Sequence, residues 1–403
     1  MVVIGGGAAG FMAAITCASQ NSDLNVSIIE RHSRFLSKVK VSGGGRCNVT
    51  NDCIAVPELL KHYPRGEKGL LNVFARFAVA DTIAWYNSRG VSLKTEADGR
   101  MFPQSNSSDT IIECLNVAAR NSGVKLCDSI SVKEILTVDG KFLLKTNRND
   151  LKADYLVIAC GGFPKMEQYD FIKRLGHTAK EPVPSLFTFN IPDKEIHKLS
   201  GVSFKNVEVR IPSVRQKHQG AILITHWGLS GPAILKTSAW AARELFDCNY
   251  EFEICVNWLN LTEEQTRELL KKEFLEKSKT KITNVKISNL PSNFWQYLLY
   301  RANIFAEKLC AEIGKSDLNK LVQLLYRCTF EVKGKSTFKE EFVTAGGIPL
   351  NEVDMKTMQS KKVPRLFFAG EILDIDGVTG GFNFQAAWST GWLAGNSIAT
   401  QMG

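Results

Sequence analysis

The feature that most limits what this chain can fold into is its opening: Val2-Val3-Ile4, then Gly5-x-Gly7-x-x-Gly10, then a run of small residues. An apolar triplet that ends in such a loop reads as strand, turn and helix. The small-residue helix spans about Ala8 to Ser19, and Asn25-Val26-Ser27-Ile28-Ile29-Glu30 supplies a second strand. Gly5 makes the tight turn, Gly7 lets backbone approach a pyrophosphate, and Gly10 lets the helix pack on the sheet. The helix start, at Ala8 and Ala9, offers N–H groups and a positive dipole end to the phosphates. Glu30 stands at the distance where an acid accepts from the ribose hydroxyls of an adenosine. The glycine pattern alone is common. With its strand, helix and acid it favours a dinucleotide site over a ligand-free turn.

Further along, Asp154 to Ala159 reads as a buried strand ending at Gly161-Gly162, and Arg365 to Ala369 as another ending at Gly370-Glu371. Between them the texture changes. Short β-rich segments run through Leu186 to Ile191, Asn206 to Ile211, Ala221 to Thr225 and Tyr250 to Val256. Helical patterns follow: one from the capping box Thr262-Glu263-Glu264-Gln265, one after Pro291 ending near Gly314, one from about Ser316 to Arg327. Strand-like sequence returns at Thr329 to Val332. The expected organisation is an α/β dinucleotide-binding domain over residues 1–184 and 343–403, interrupted by a β-rich domain (185–260 and 328–342) and a helical subdomain (261–327).

Two more motifs carry chemistry. Ser42-Gly43-Gly44-Gly45-Arg46-Cys47-Asn48 joins three glycines to a cation, suiting close backbone approach to a bulky ligand, with Arg46 near a phosphate or flavin edge. Cys47 with Cys53 is C-x5-C, unlike the C-x4-C of disulfide reductases, so a packed thiol is preferred to a redox pair. At the other end, Gly370-Glu371 closes a strand and Asp374 and Asp376 follow in a loop. Gly380-Gly381-Phe382-Asn383 then opens a helix that carries Gln385. Acids at a strand end can hold ribitol hydroxyls, and a helix start can face a flavin carbonyl edge.

Ten cysteines are scattered without a CxxC pair or zinc spacing, so no metal is expected. No run approaches the roughly 18–20 apolar residues of a membrane helix, and the opening is not a signal peptide; a soluble, cytoplasmic protein is expected. The net charge of +9 is spread along the chain and read as solubility plus attraction for an anionic cofactor, so nucleic acid is not the expected partner.

Through these motifs the chain resembles the bacterial flavoprotein family that includes aminoacetone oxidases and bile-acid-type enone reductases. The likeness also takes in Gly99-Arg100-Met101-Phe102-Pro103, Ala159-Cys160-Gly161-Gly162, Thr225-His226-Trp227-Gly228-Leu229-Ser230-Gly231-Pro232-Ala233 and Thr344-Ala345-Gly346-Gly347. The resemblance implies a two-dinucleotide-binding-type (Rossmann-like) FAD domain split by a β-barrel-like domain with a small helical subdomain. Cys160 stands where the family often has Thr, and Lys165 to Asp170 replaces a usual serine- and glycine-rich stretch. Arg31, Val132, Ala159 and Gly161 complete the candidate cofactor contacts.

His226, in a loop after an apolar strand, is the best histidine for facing a substrate, weighed evenly against one fixed beneath a loop. Arg100, which could face the flavin or a substrate carboxylate, is weighed evenly against a surface arginine. The expected activity is FAD-dependent oxidation of an amine or reduction of an enone-type small molecule, with NAD(P)H as a candidate transient donor. The alternatives are an NAD(P)H-dependent flavin disulfide reductase and an RNA-binding flavoprotein. The oligomeric state is left open.

Overall fold

Val2–Ile4 (β1) is entirely buried, as three apolar residues at the centre of a parallel sheet must be. The computed structural model describes residues 1–336 and 343–402. The expected domain limits also include 337–342 and 403, which lie outside the described residues. After β1 come α1 (Ala8–Gln20), β2 (Ser27–Ile29), β3 (Lys125–Cys127), β4 (Leu156–Ile158), β5 (Leu366–Phe368) and α2 (Phe382–Met402). The strands pair in parallel in the order β5-β4-β1-β2-β3, with Val3 opposite Ile28 and Val157, and Val157 opposite Phe367. Two short antiparallel strands, Gln359–Ser360 and Val353–Asp354, extend the β5 edge. A three-stranded antiparallel sheet (Val132–Val138, Lys141–Thr146, Leu151–Ala153) bridges β3 to β4.

α1 buries nearly every side chain, including Phe11, Met12 and Ile15, so it has no solvent face to speak of. Its partner is α2. A Cβ added at Gly391 would lie 2.4 Å from the Ala9 carbonyl oxygen, and one at Gly395 would lie 2.2 Å from that of Ala13. Glycine pairs four apart on one helix therefore meet alanines four apart on the other, and the backbones touch.

The chain divides into two compact units, 1–185 with 343–402 and 186–336 among the described residues. In the second, seven strands pair antiparallel in the order Cys328–Lys333, Glu251–Asn257, Ser203–Ile211, Gln216–Thr225, Gly228–Ser230, Thr188–Asn190 and Lys335–Ser336. The first and last of these are separated only by Gly334, whose N–H donates to Tyr250 (2.9 Å) and whose carbonyl accepts from Asn190 (3.2 Å). One extended segment thus pairs at both ends and the sheet closes on itself, which gives the barrel-like form and leaves no bare edge.

Helices Glu263–Glu276, Ser292–Ala302 and Lys315–Tyr326 belong to this unit, sharing a core of Trp258, Phe294, Trp295 and Leu321 with the strands. The capping box forms: Gln265 N–H donates to Thr262 Oγ1 at 3.2 Å and Thr262 N–H to Gln265 Oε1 at 2.9 Å. The second helix departs from expectation. It stops at Ala302 rather than near Gly314, because Asn303 takes the left-handed conformation (φ 55°) that ends helices, and the following Phe305 faces solvent.

Candidate functional site

The first loop forms at the carboxyl ends of β1, β2 and β4, where a parallel sheet presents its ligand crevice. Gly5 has φ 111°, and a Cβ there would lie 2.4 Å from the Ala159 carbonyl oxygen. At Gly10 a Cβ would lie 2.0 Å from the Gly5 carbonyl oxygen. Gly7 differs, since a Cβ would meet nothing within 4 Å. Neither a capping side chain nor a first-turn acid occupies the start of α1, so its positive end is left for a ligand. Glu30 follows β2 and is held by two backbone donors, Gly6 N–H (2.9 Å) and His32 N–H (3.0 Å). Each carboxylate oxygen keeps a lone pair for a ribose hydroxyl. Arg31 donates to the His32 ring at 2.9 Å, and Val132 begins the bridging sheet, half-buried.

The second motif leaves the helix Ser37–Gly45 at Ser42, whose hydroxyl donates to Val39 O at 2.9 Å. Gly43, Gly44 and Gly45 all lie in the left-handed region (φ 57°, 66° and 83°), and added Cβ atoms at Gly44 and Gly45 would meet nothing within 4 Å. The backbones of Gly44 and Gly45 are therefore open on one side, whereas Gly43 is backed by Asn48 and Phe102. Arg46 lies over the Phe102 ring, 4.0 Å from its centre, and donates to Glu96 at 2.6 Å. Arg100 shares Glu96 at 3.0 Å and binds Asp98 at 2.7 Å, so both arginines are set by one carboxylate. Asn48, with its amide turned to satisfy both ends, accepts from Gly381 N–H at 2.9 Å and donates to Thr50 and Met101 carbonyls. That contact ties this motif to the third.

In the third segment the acids are already engaged. Glu371 accepts from Thr344 N–H (2.9 Å) and Lys38 (2.6 Å), and Asp374 from Lys180 (2.5 Å). Gly370 has φ 76°, with Ala9 close behind it, and its N–H donates to Thr390. Gly380 and Gly381 also have positive φ, and a Cβ at Gly381 would strike the Thr50 carbonyl. Phe382 stacks on His62 at 4.1 Å, and Asn383 pins Gly377 through both of its amide atoms.

One expectation needs correcting. The Gln385 side chain cannot reach a cofactor, because it is fully buried and its amide is spent on Thr50, Thr82 and Ser389. The sequence reading also missed the pair that anchors this loop: Arg65 binds fully buried Asp376, which also accepts from Ser185 at 2.8 Å. Nothing local in the sequence marks Arg65; only the apolar setting of Asp376 hints that a partner is required.

The cradle fits FAD on its own geometry: open backbone at Gly7, Gly44 and Gly45, an uncapped helix start, and a carboxylate at the end of β2. The cysteines give a disulfide-reductase reading no support. Cys47 is buried, its thiol pushed up to about 12 by burial, and all ten cysteines are free. Burial likewise pushes Cys160 up to about 12. The segment around Lys165 forms a 3₁₀ turn, Met166–Tyr169, with Phe163 N–H donating to the Tyr169 hydroxyl.

In the second unit, His226 and Trp227 form the two-residue tip between strands Gln216–Thr225 and Gly228–Ser230. His226 is exposed, not fixed beneath a loop. Trp227 donates to Thr188 at 3.2 Å.

Comparison with known proteins agrees with a Rossmann-type fold. A family described as the HI0933-like protein Rossmann domain matches residues 1–397. A 3-dehydro-bile acid delta(4,6)-reductase of Clostridium scindens is 26% identical, covering 98% of each chain. Ribosomal RNA dihydrouridine synthases of Haemophilus influenzae and Escherichia coli are 28% and 27% identical, covering 99% and 98% of this chain and 98% and 97% of theirs. Among solved structures, the FrdA chain of E. coli quinol fumarate reductase superposes with a TM-score of 0.51 at 13% identity, covering 99% of this chain and 69% of that one. An open flavocytochrome c3 fumarate reductase gives 0.50 at 14%, covering 99% and 78%. These last two speak to the fold alone. Among the described residues no helix is long and apolar enough to cross a membrane.

Proposed function

Because the chain belongs to the HI0933-like family and is an FAD-dependent oxidoreductase, we propose that it reduces a carbon–carbon double bond conjugated to a carbonyl, and that this bond lies in the uracil ring of ribosomal RNA. The observation that carries the reading is chemical. The names of the bile-acid reductase and the dihydrouridine synthases describe unrelated substrates but the same bond change. The net charge of +9, read from the sequence alone as solubility and attraction for an anionic cofactor, is also compatible with a polyanionic substrate, and the dihydrouridine synthase relatives turn the reading toward RNA. None of these relatives is an amine oxidase, so enone-type reduction is preferred to amine oxidation.

When bound, FAD supplies the two-electron chemistry. The bond change needs a hydride at the carbon β to the carbonyl and a proton at the α carbon. We assign the electrons ultimately to a nicotinamide nucleotide that docks transiently. Of the second unit's own groups, His226, an exposed imidazole on a two-residue turn, is the candidate acid. Arg100, with the carboxylates Glu96 and Asp98 beside it, is proposed to orient the substrate carbonyl.

The test is anaerobic incubation of the purified flavoprotein with NADH or NADPH, and with either an unmodified ribosomal RNA transcript or a bile-acid-type enone. Nucleoside mass spectrometry reads dihydrouridine and chromatography reads the saturated product. Dihydrouridine formation supports the proposal. Saturation of the enone alone moves the substrate to a small molecule, and turnover of neither sinks the reading.

A further inference from the structure

The second unit carries a cavity of about 430 Å³ with an unusual lining. Arg210, Lys217, Arg215 and Arg327 face it with a single carboxylate, Glu208. Strand register explains the cluster. Arg210 pairs with Lys217 on one neighbouring strand and Cys255 on the other, and Glu208 pairs with Asn257. Residues 208 and 210 lie on one face of their strand, as alternation requires. Arg215 sits in the turn before Gln216, and Arg327 just beyond the helix Lys315–Tyr326.

The charges are not self-neutralising. Buried Glu208 is matched twice, by Lys217 at 2.6 Å and Arg210 at 3.1 Å. Burial would raise its pKa, but these two cations hold it below the usual carboxylate range. Arg215 and Arg327 are exposed; Arg327 bonds the Cys255 side chain and is drawn toward Glu253, and neither arginine is in an ion pair among the described residues. A cleft this cationic, built on three adjacent strands, suits a ligand that brings several negative charges at once.

The same wall contains a second, independent observation. Asn257 is buried and donates its amide to the Leu261 carbonyl at 2.7 Å, which fixes its orientation. Its Oδ1 then accepts no hydrogen bond among the described residues. A buried amide oxygen without a donor costs free energy, and a hydroxyl is the group that relieves it. Phosphate and hydroxyl together are the alternating chemistry of a ribose–phosphate chain, and the 2′-hydroxyl separates RNA from DNA.

We propose that the cleft between strands Ser203–Ile211, Gln216–Thr225 and Glu251–Asn257 binds the ribose–phosphate backbone of RNA, with Arg215 and Arg327 on phosphates. The proposal rests on the RNA reading above but concerns residues to which the reduction chemistry assigns no role. The groups it needs are in place in the folded unit: two paired cations give the cleft its wall and two exposed ones its reach.

The experiment uses the full-length flavoprotein, an unmodified ribosomal RNA transcript and DNA of the same sequence, with binding followed from low to physiological salt. Arg215→Gln and Arg327→Gln are each expected to weaken RNA binding by roughly tenfold, the worth of a charge-assisted contact. Each should also lower the salt slope by about 1. FAD content and the rate of flavin bleaching by NADPH should stay at wild-type values, and Arg327→Lys should restore most of the slope. Wild-type affinity and slope in both glutamine variants would overturn the cleft. So would equal binding of DNA and RNA, or displacement of RNA by millimolar inorganic phosphate, which would reduce the cleft to a simple anion site. Dihydrouridine read on the same transcript keeps the two ideas apart. Product with unaltered binding in the variants defeats only the cleft, whereas weakened binding in the variants with no product from wild type defeats only the substrate.

Discussion

At Gly10 an added Cβ would lie 2.0 Å from the Gly5 carbonyl oxygen, whereas at Gly44 and Gly45 it would meet nothing within 4 Å. Both stretches are glycine-rich and both line the proposed flavin cradle. In the first, Gly5 and Gly10 are imposed by the protein, because strand, turn and helix come too close for any side chain. In the second, the glycines are imposed by left-handed backbone and by the open space beside it. Gly7 is an exception within the first loop, open and without positive φ. A glycine motif thus mixes residues that build a fold with residues that admit a ligand, and a substitution should separate them.

The largest effect is expected at the closed positions. Gly10→Ala and Gly395→Ala should each destabilise the protein by about 3 kcal/mol, against a helix-propensity gain of about 1 kcal/mol. Denaturant unfolding of the apoprotein measures this, and a loss below about 1 kcal/mol would erase the distinction. Gly44→Ala comes next: the left-handed conformation costs about 1–2 kcal/mol, with a further loss of FAD retention read by fluorescence on dialysis. Gly7→Ala should leave apoprotein stability within about 0.5 kcal/mol yet weaken FAD binding. A Gly7→Ala protein that retains flavin like wild type would show that the open side of the first loop faces no phosphate. The smallest effect concerns Cys47. Its buried, protonated thiol should stay unmodified by iodoacetamide at pH 8 while exposed Cys248 reacts, as peptide mapping would show.

What could be read from the sequence followed the same division. Four of the five parallel strands were legible, since a buried strand writes its apolar run locally, as Leu156–Ile158 and Leu366–Phe368 do, whereas the half-exposed edge strand Lys125–Cys127 was not read. The Thr262 capping box was legible for the same reason. Features made by distant segments were not. Arg65 meets Asp376, and Asn48 meets Gly381, across more than three hundred residues, and neither pair announces itself. Gln385 looked like a ligand contact because it follows a glycine turn, but its burial beside Thr50, Thr82 and Ser389 is tertiary information. The early end of the helix at Asn303 had a local signal, an Asn suited to left-handed backbone, that the reading to Gly314 passed over. The alanines and glycines four apart on α1 and α2 were also there to be seen, but their meaning requires knowing that the two helices touch.

That contact also sets an order of assembly during synthesis. About 360 residues separate Gln20 from Phe382, and a ribosome adding about 5–20 residues per second needs roughly 20–70 s to make them. For that interval the face of α1 formed by Ala9 and Ala13 has no partner. The unit spanning 186–336 has all of its strands meanwhile, and can close before the nucleotide-binding half is whole. Flavin capture is then a late event in the life of the polypeptide, and a chain cut short before Gly391 would carry the dinucleotide loop without the surface that seats it.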